Sequence, residues 1–160
     1  MLIALLLAQT AAMSAVPACP ATPVALPAEY AGWNAGVPVA AAAEPASVGD
    51  AMLTVGRGAR ASLQPAGALK LPVVPRKTGS YGGLFAFEAA SPGRYRVALG
   101  AGVWVEVVAN GAALTSIAHG HGPACTAVRK VVDYNLKPGR YLLQVTGEPT
   151  TLALQIVKLA

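Results

Sequence analysis

The chain of 160 residues is long enough for one domain with a sizeable core. It is 54% hydrophobic and only 12% charged, whereas an average soluble domain has roughly 25% charged residues. No apolar run approaches the ~20 residues of a membrane-spanning helix, so the sequence predicts a protein that is not transmembrane. The net charge of +5 comes from Lys and Arg residues between Arg57 and Lys158. It favours attraction to acidic glycans or anionic lipid headgroups, and no basic–aromatic motif indicates nucleic acid.

The chain begins with a compact apolar block, residues 1–7, which is followed by small residues. This pattern is typical of the apolar region and cleavage zone of a secretory signal, and the block is too short to cross a membrane. We therefore expect residues 1–18 to be a signal peptide, with cleavage after Ser14 or Ala18, and the mature protein to be periplasmic or secreted. The alternative is a buried N-terminal helix.

Two cysteines, Cys19 and Cys125, follow the predicted signal peptide. In an oxidising compartment they can form a disulfide that ties the mature N-terminus to the body of the domain. The alternative is lipidation, because residues 16–19 resemble the motif that marks a lipid-bearing cysteine. The compartment and the long spacing favour the disulfide.

Residues 19–49 are rich in Pro and Ala, a composition that prevents a long helix and favours extended segments. Tyr30 and Trp33 lie within this stretch, and an exposed tail rarely carries two such aromatic residues. We therefore predict an N-terminal arm over residues 19–49 that packs on a β-sandwich domain of residues 50–160.

After Asp50, short apolar runs alternate with turn residues. A period of two within the runs is what half-buried strands require, and no segment has an adequate helical period. Asn110-Gly111 is typical of a two-residue hairpin turn. The predicted strands are residues 84–88, 94–99, 102–108, 113–118, 128–136, 141–146 and 152–157. The pattern predicts an all-β fold, an antiparallel β-sandwich of jelly-roll type.

One short pattern occurs twice. Pro92-Gly93-Arg94-Tyr95 recurs as Pro138-Gly139-Arg140-Tyr141. Pro and Gly suit the two central positions of a type II turn, so each copy is expected to reverse the chain. The repetition predicts two equivalent hairpins in opposed sheets.

Two histidines form the most concentrated candidate for chemistry. In an extended segment His119 and His121 point to the same face and could reach one metal ion. Glu106, on a neighbouring predicted strand, would add the carboxylate of a two-histidine–one-carboxylate site for iron, copper or zinc. Glycine around histidine is equally typical of a tight structural loop, so both interpretations stay open.

Other candidate binding residues are basic or aromatic. Arg76-Lys77 and Arg129-Lys130 are candidates for binding acidic ligands, and solvated loop charge is the ordinary interpretation. Four aromatic residues suggest a platform for a sugar, although core packing needs most of them. They are Tyr30, Trp33, Tyr81 and Trp104.

Several stretches carry a resemblance to a known family. They are residues 19–20, 31–33, 81–85, 93–100, 119–125, 129–130 and 138–141. Together they cover most of the mature chain and resemble a family of small exported bacterial β-sandwich proteins, which implies export but no mechanism. Some members carry the label homogentisate dioxygenase, an enzyme family that binds ferrous iron through two histidines and a glutamate. His119-Gly120-His121 is similar to the cupin His-x-His, but no glutamate follows it within the next few residues.

The strand pattern also resembles the jelly-roll domains appended to secreted bacterial peptidases, which are accessory modules rather than catalysts. The sequence thus predicts a non-catalytic binding or accessory module of the cell envelope, with no cofactor and no catalytic residue. The alternative is a metal-dependent enzyme, such as an iron dioxygenase, that uses the His-x-His site.

Overall fold

The computed structural model describes residues 17–160. The predicted signal peptide, residues 1–18, lies outside the described residues except for its last two positions. Helical structure in residues 17–160 consists of short 3-10 helices, at Ala28–Tyr30, Trp33–Ala35, Pro45–Asp50 and Ala66–Ala68. None of them is long and apolar enough to span a membrane.

The strands of residues 17–160 form two packed sheets, which confirms the predicted all-β sandwich. The first sheet contains, in spatial order, β1 (Val37–Ala40), β3 (Gly58–Ser62), β12 (Thr151–Lys158), β6 (Gly93–Leu99), β10 (Lys130–Leu136) and β9 (Ala118–Gly120). The second contains β2 (Met52–Leu53), β5 (Tyr81–Ala89), β11 (Gly139–Gly147), β7 (Trp104–Ala109) and β8 (Ala112–Ala113), and β4 (Gln64–Pro65) also pairs with β5.

Two of the strand pairings are parallel, unlike the purely antiparallel sheets that the sequence predicts. β1 pairs with β3 and β2 pairs with β5 in this way. The chain leaves the first sheet after β1, adds β2 to the second sheet and then returns at β3, so it re-enters the first sheet in its original direction. A parallel pair needs such a crossover connection.

The core lies between the sheets and follows the predicted alternation. In β6, Tyr95, Val97 and Leu99 are buried, whereas Arg94 and Arg96 point away from the core. The facing side of the second sheet supplies a matching set, which includes Phe85, Phe87, Val105, Val107, Leu143 and Val145. A period of two thus buries one face of each strand against the opposite sheet.

The Pro- and Ala-rich segment packs on the outer face of the first sheet. Tyr30 and Trp33 are buried there against Ala98, Val128 and Val131. Their burial removes large aromatic surfaces from water, which stabilises this attachment. β1 belongs to the predicted arm of residues 19–49 yet is a strand of the first sheet, and the boundary with residues 50–160 stays a prediction.

A buried carboxylate organises the outer face of the first sheet. Asp133 is only 1% exposed and accepts hydrogen bonds from Arg94 and Arg96. Burial would raise the pKa of Asp133, but the bonds from the two guanidinium groups outweigh it and lower the pKa. Asp133 is therefore a structural ion-pair partner.

The prediction of two Pro-Gly hairpins is wrong. The first Pro-Gly turn connects β5 of the second sheet to β6 of the first, and the second turn connects β10 to β11 in the reverse direction. Each is an arch between sheets, because β5 pairs with β11 and β6 pairs with β10. The φ angles of Gly93 and Gly139, 156° and 153°, also differ from the value near +80° of a type II turn.

The turn at Asn110-Gly111 is a hairpin, as predicted, with both residues at positive φ. The predicted return strand over residues 113–118 is wrong, however, because β8 ends at Ala113. The chain then crosses from the second sheet to the first and forms β9. This crossing leaves most of β7 without a neighbouring strand on one side.

Candidate ligand-binding site

A cavity of about 430 Å³ lies where the chain crosses between β8 and β9. Residues of both sheets, of the crossing segment and of the loop before β5 line it. They are Arg76, Lys77, Trp104, Val105, Glu106, Ala113, Leu114, Thr115, Ser116, His119, Lys130, Val132 and Tyr134. The volume falls within the range of about 300–1,000 Å³ that is usual for small-molecule sites.

The free edge of β7 forms one wall of the cavity. β8 pairs only with Val108 and Ala109. Just before β7, the Nζ of Lys130 donates to the carbonyl of Val103 at 2.7 Å. Further along β7, the N–H of Leu114 donates to the carbonyl of Val107 at 2.8 Å. Because backbone groups of alternate residues point to the same side of a strand, the N–H and C=O of Val105 also point to this edge.

Basic side chains cluster around Trp104. The ammonium groups of Lys77 and Lys130 lie 5.8 and 5.3 Å from the centre of a Trp104 ring, and Arg76 lines the same cavity. Within residues 17–160, no carboxylate lies in ion-pair contact with these three groups. Burial lowers the pKa of Lys130, and the nearby charge of Lys77 lowers it further.

The loop that carries Arg76 and Lys77 is held to β11 by two side chains. The amide of Gln144 donates to the carbonyl of Val73 at 3.0 Å and accepts from its N–H at 3.4 Å. The hydroxyl of Thr146 donates to the carbonyl of Lys77. These bonds place the two basic residues beside Trp104, and their arrangement therefore depends on the packed sheet.

Trp104 contributes an unused donor. Its indole N–H is shielded from solvent and has no hydrogen-bond partner in the described part of the chain. Buried polar groups without a partner are rare and costly, so this N–H lowers the stability of the packing around Trp104 without being open to a ligand in the cavity.

A carboxylate lies on the same wall. Glu106 is only 8% exposed, and its Oε2 accepts a hydrogen bond from the Nε2 of Gln144 at 2.8 Å. The two residues are cross-strand neighbours in β7 and β11. The cavity therefore combines a basic group of side chains with one buried acidic side chain.

Tyr134 adds a neutral hydroxyl to the opposite wall. Burial raises the pKa of Tyr134 to about 12. A hydrogen bond from the backbone N–H of Val107 opposes this shift, and the charge of Glu106 adds to it. The phenol thus stays protonated at neutral pH.

The structure brings two of the three predicted metal ligands to the cavity. His119 and Glu106 line it, whereas His121 follows β9, is exposed and does not line it. In residues 17–160, no three side chains of His, Cys, Asp or Glu lie together in a way that would hold a metal ion. The metal site stays a prediction.

The disulfide between Cys19 and Cys125 is formed, with the two Cα atoms 5.4 Å apart. It ties the described N-terminal segment to the loop between β9 and β10. Cys19 thereby uses the sulfur that the lipid-anchor alternative requires.

The cavity brings together residues that the sequence does not connect. Lys77 is exposed, as solvated loop charge would be, yet it lines the cavity with Lys130 and with Trp104, which the sequence assigns to core packing. Glu106 was singled out as a metal ligand only. The alternation of Trp104 and Glu106 within strand 102–108 already placed them on one face. Gln144 carried no recognisable signal, because its role depends on the register of β11.

Comparisons with known proteins concern the fold. No protein-family model matches the chain, and no curated protein does. One similar solved structure is the pre-peptidase C-terminal domain of a collagenase from Bacillus anthracis, with 16% identity and a TM-score of 0.43. The match covers 66% of this chain and 91% of that chain. That domain is of the type that the strand pattern resembles.

Proposed function

We propose that this protein is an exported, non-catalytic β-sandwich that binds an anionic component of the cell envelope in the cavity beside Trp104. One observation carries the proposal. The ammonium groups of Lys77 and Lys130 lie 5.8 and 5.3 Å from the centre of a Trp104 ring, Arg76 lines the same cavity, and no carboxylate of residues 17–160 is in ion-pair contact with these three groups.

Such an arrangement is unfavourable without a ligand. Like charges repel, and the lowered pKa of Lys130 reflects both its burial and the charge of Lys77. A bound anion would neutralise the ammonium groups of Lys77 and Lys130. The site is thus complementary to a negative group.

Export is supported by the disulfide. Disulfides persist in oxidising compartments and are rare in the cytosol. The Cys19–Cys125 bond therefore favours a periplasmic or secreted protein, in agreement with the signal peptide predicted over residues 1–18.

The test measures binding of the purified protein to dextran sulfate, a polyanion that carries no carboxylate. The double variant Lys77→Gln/Lys130→Gln is compared with Arg57→Gln/Lys137→Gln, which removes the same charge from exposed positions away from the cavity. We expect the cavity variant to lose about tenfold or more in affinity, since charge-assisted hydrogen bonds are lost. Equal losses in the two variants would show that binding follows net charge and would contradict the proposal.

A second candidate function is a metal-dependent enzyme, such as an iron dioxygenase. It is favoured by the position of His119 and Glu106 in one cavity. They supply two of the three ligands of a two-histidine–one-carboxylate site. Elemental analysis of the protein purified from periplasm tests this function. Stoichiometric iron, copper or zinc that is lost in His119→Gln/His121→Gln would support it. Absence of bound metal from the wild-type protein would contradict it.

A further inference from the structure

We propose that the anionic group bound in this cavity is the carboxylate of a hexuronic acid residue in an acidic polysaccharide. This inference rests on the proposed function and names its ligand class. It is drawn from the distribution of charges, donors and acceptors around the cavity.

The cavity is not uniformly basic, and this disfavours a ligand that fills it with acceptor oxygens only. Glu106 lines the wall in a buried position, and only its Oε2 has a partner, Gln144, among the described residues. A phosphate or sulfate that filled the cavity would place its oxygens against this carboxylate. Like charges in a buried site are strongly unfavourable. The ligand must therefore present a donor to Glu106 and its negative charge to the lysines.

An acidic sugar meets both requirements within one ring. Its carboxylate suits the ammonium groups of Lys77 and Lys130 beside Trp104. Its hydroxyl groups both donate and accept, so they suit Oε1 of Glu106 on one side and the hydroxyl of Tyr134 on the other. The three basic side chains outnumber the one acid of the lining, which favours a ligand with net negative charge over a zwitterion.

The unpaired backbone of Val105 in β7 adds one hydrogen-bond donor and one acceptor to the cavity. The N–H and C=O of Val105 point to the cavity edge, and a sugar hydroxyl can engage either group. A peptide added as a strand is disfavoured here. The bonds at Val103 and Val107 occupy the edge on both sides of Val105, so only one residue is left for pairing, whereas strand addition needs a row of free groups.

The experiment uses charge-matched ligands. Titration calorimetry compares trimers of glucuronate, galacturonate and mannuronate with the corresponding neutral hexose trimers and with dextran sulfate. The protein variants are Glu106→Gln, Lys77→Gln and the control Lys137→Gln, and each is first checked for an unchanged thermal unfolding transition. Because Lys77 is exposed, Lys77→Gln is expected to fold. It therefore still tests the inference if Glu106→Gln does not fold.

We expect at least one uronate trimer to bind, and its neutral counterpart to bind about tenfold or more weakly. Glu106→Gln and Lys77→Gln should each weaken uronate binding, while Lys137→Gln should not. If dextran sulfate binds as tightly as every uronate and Glu106→Gln has no effect, the anion site stands and the sugar assignment is overturned. If neither class of ligand depends on Lys77, both this inference and the proposed function are overturned.

Discussion

At the scale of single residues, the most informative group is Lys130. Its ammonium lies over Trp104, which the ammonium of Lys77 also approaches, and donates to the carbonyl of Val103. Burial is the main cause of its lowered pKa, and Lys77 adds to it. The side chain is thus held in place by local contacts while its charge stays uncompensated, which is the condition under which a ligand anion contributes most.

This gives a prediction about pH. Lys77→Gln should raise the pKa of Lys130 part of the way toward its ordinary value of 10.5, since burial remains. In the native protein the pKa of Lys130 is below its value in the unfolded chain. At pH values between the two, the unfolded chain therefore binds more protons than the native protein. The contribution of Lys130 to the free energy of unfolding therefore rises with pH across that window. NMR titration of the lysine side chains measures the shift, and an unchanged pKa in Lys77→Gln would contradict the observed proximity.

At the scale of elements, the two Pro-Gly arches lie side by side at one end of the sandwich, because Gly93 pairs with Leu136 and Gly139 pairs with Ala89. In each arch a tyrosine bonds the backbone carbonyl of the residue four positions before it. The hydroxyl of Tyr95 donates to the carbonyl of Ser91 at 2.7 Å, and that of Tyr141 donates to the carbonyl of Lys137 at 2.8 Å.

The arches should respond equally to loss of these bonds. Tyr95→Phe and Tyr141→Phe keep the packed ring and remove only the hydroxyl, so each should lower the free energy of unfolding by about 1 kcal/mol. The Phe87–Tyr141 ring stack, with centroids 5.7 Å apart, is retained in Tyr141→Phe. Urea unfolding measures both variants. A loss confined to one arch would show that the two are not equivalent in solution.

The arches also show what could be predicted at this scale. The alternation of Tyr95, Val97 and Leu99 correctly predicted a strand and its buried face, because a period of two is a local property. The partner of each strand was not predictable, since a Pro-Gly turn looks the same whether the chain returns to its own sheet or crosses to the other. The candidate site was not predictable for the same reason. Lys77 and Lys130 both approach Trp104 only because segments that are distant in the sequence pack together.

At the scale of the whole molecule, the disulfide joins residues 106 positions apart. In the chain-entropy model a cross-link over so long a loop lowers the entropy of the unfolded chain, which stabilises the fold by about 4 kcal/mol. Cys19→Ser/Cys125→Ser should lower the free energy of unfolding by this order. Urea unfolding checks it, with the wild-type protein under reducing conditions as the control. Equal stability of the oxidised and reduced forms would show that the bond contributes little.

The position of β12 has a consequence for how the protein is made. This strand, Thr151–Lys158, is the last strand in the described part of the chain. It nevertheless lies between β3 and β6 in the interior of the first sheet. Until it has been synthesised, β3 has no partner on that side and the two halves of the sheet remain unconnected. A chain that still lacks β12 therefore cannot complete its sandwich. The order of strands makes closure of the first sheet a late step that waits for this strand.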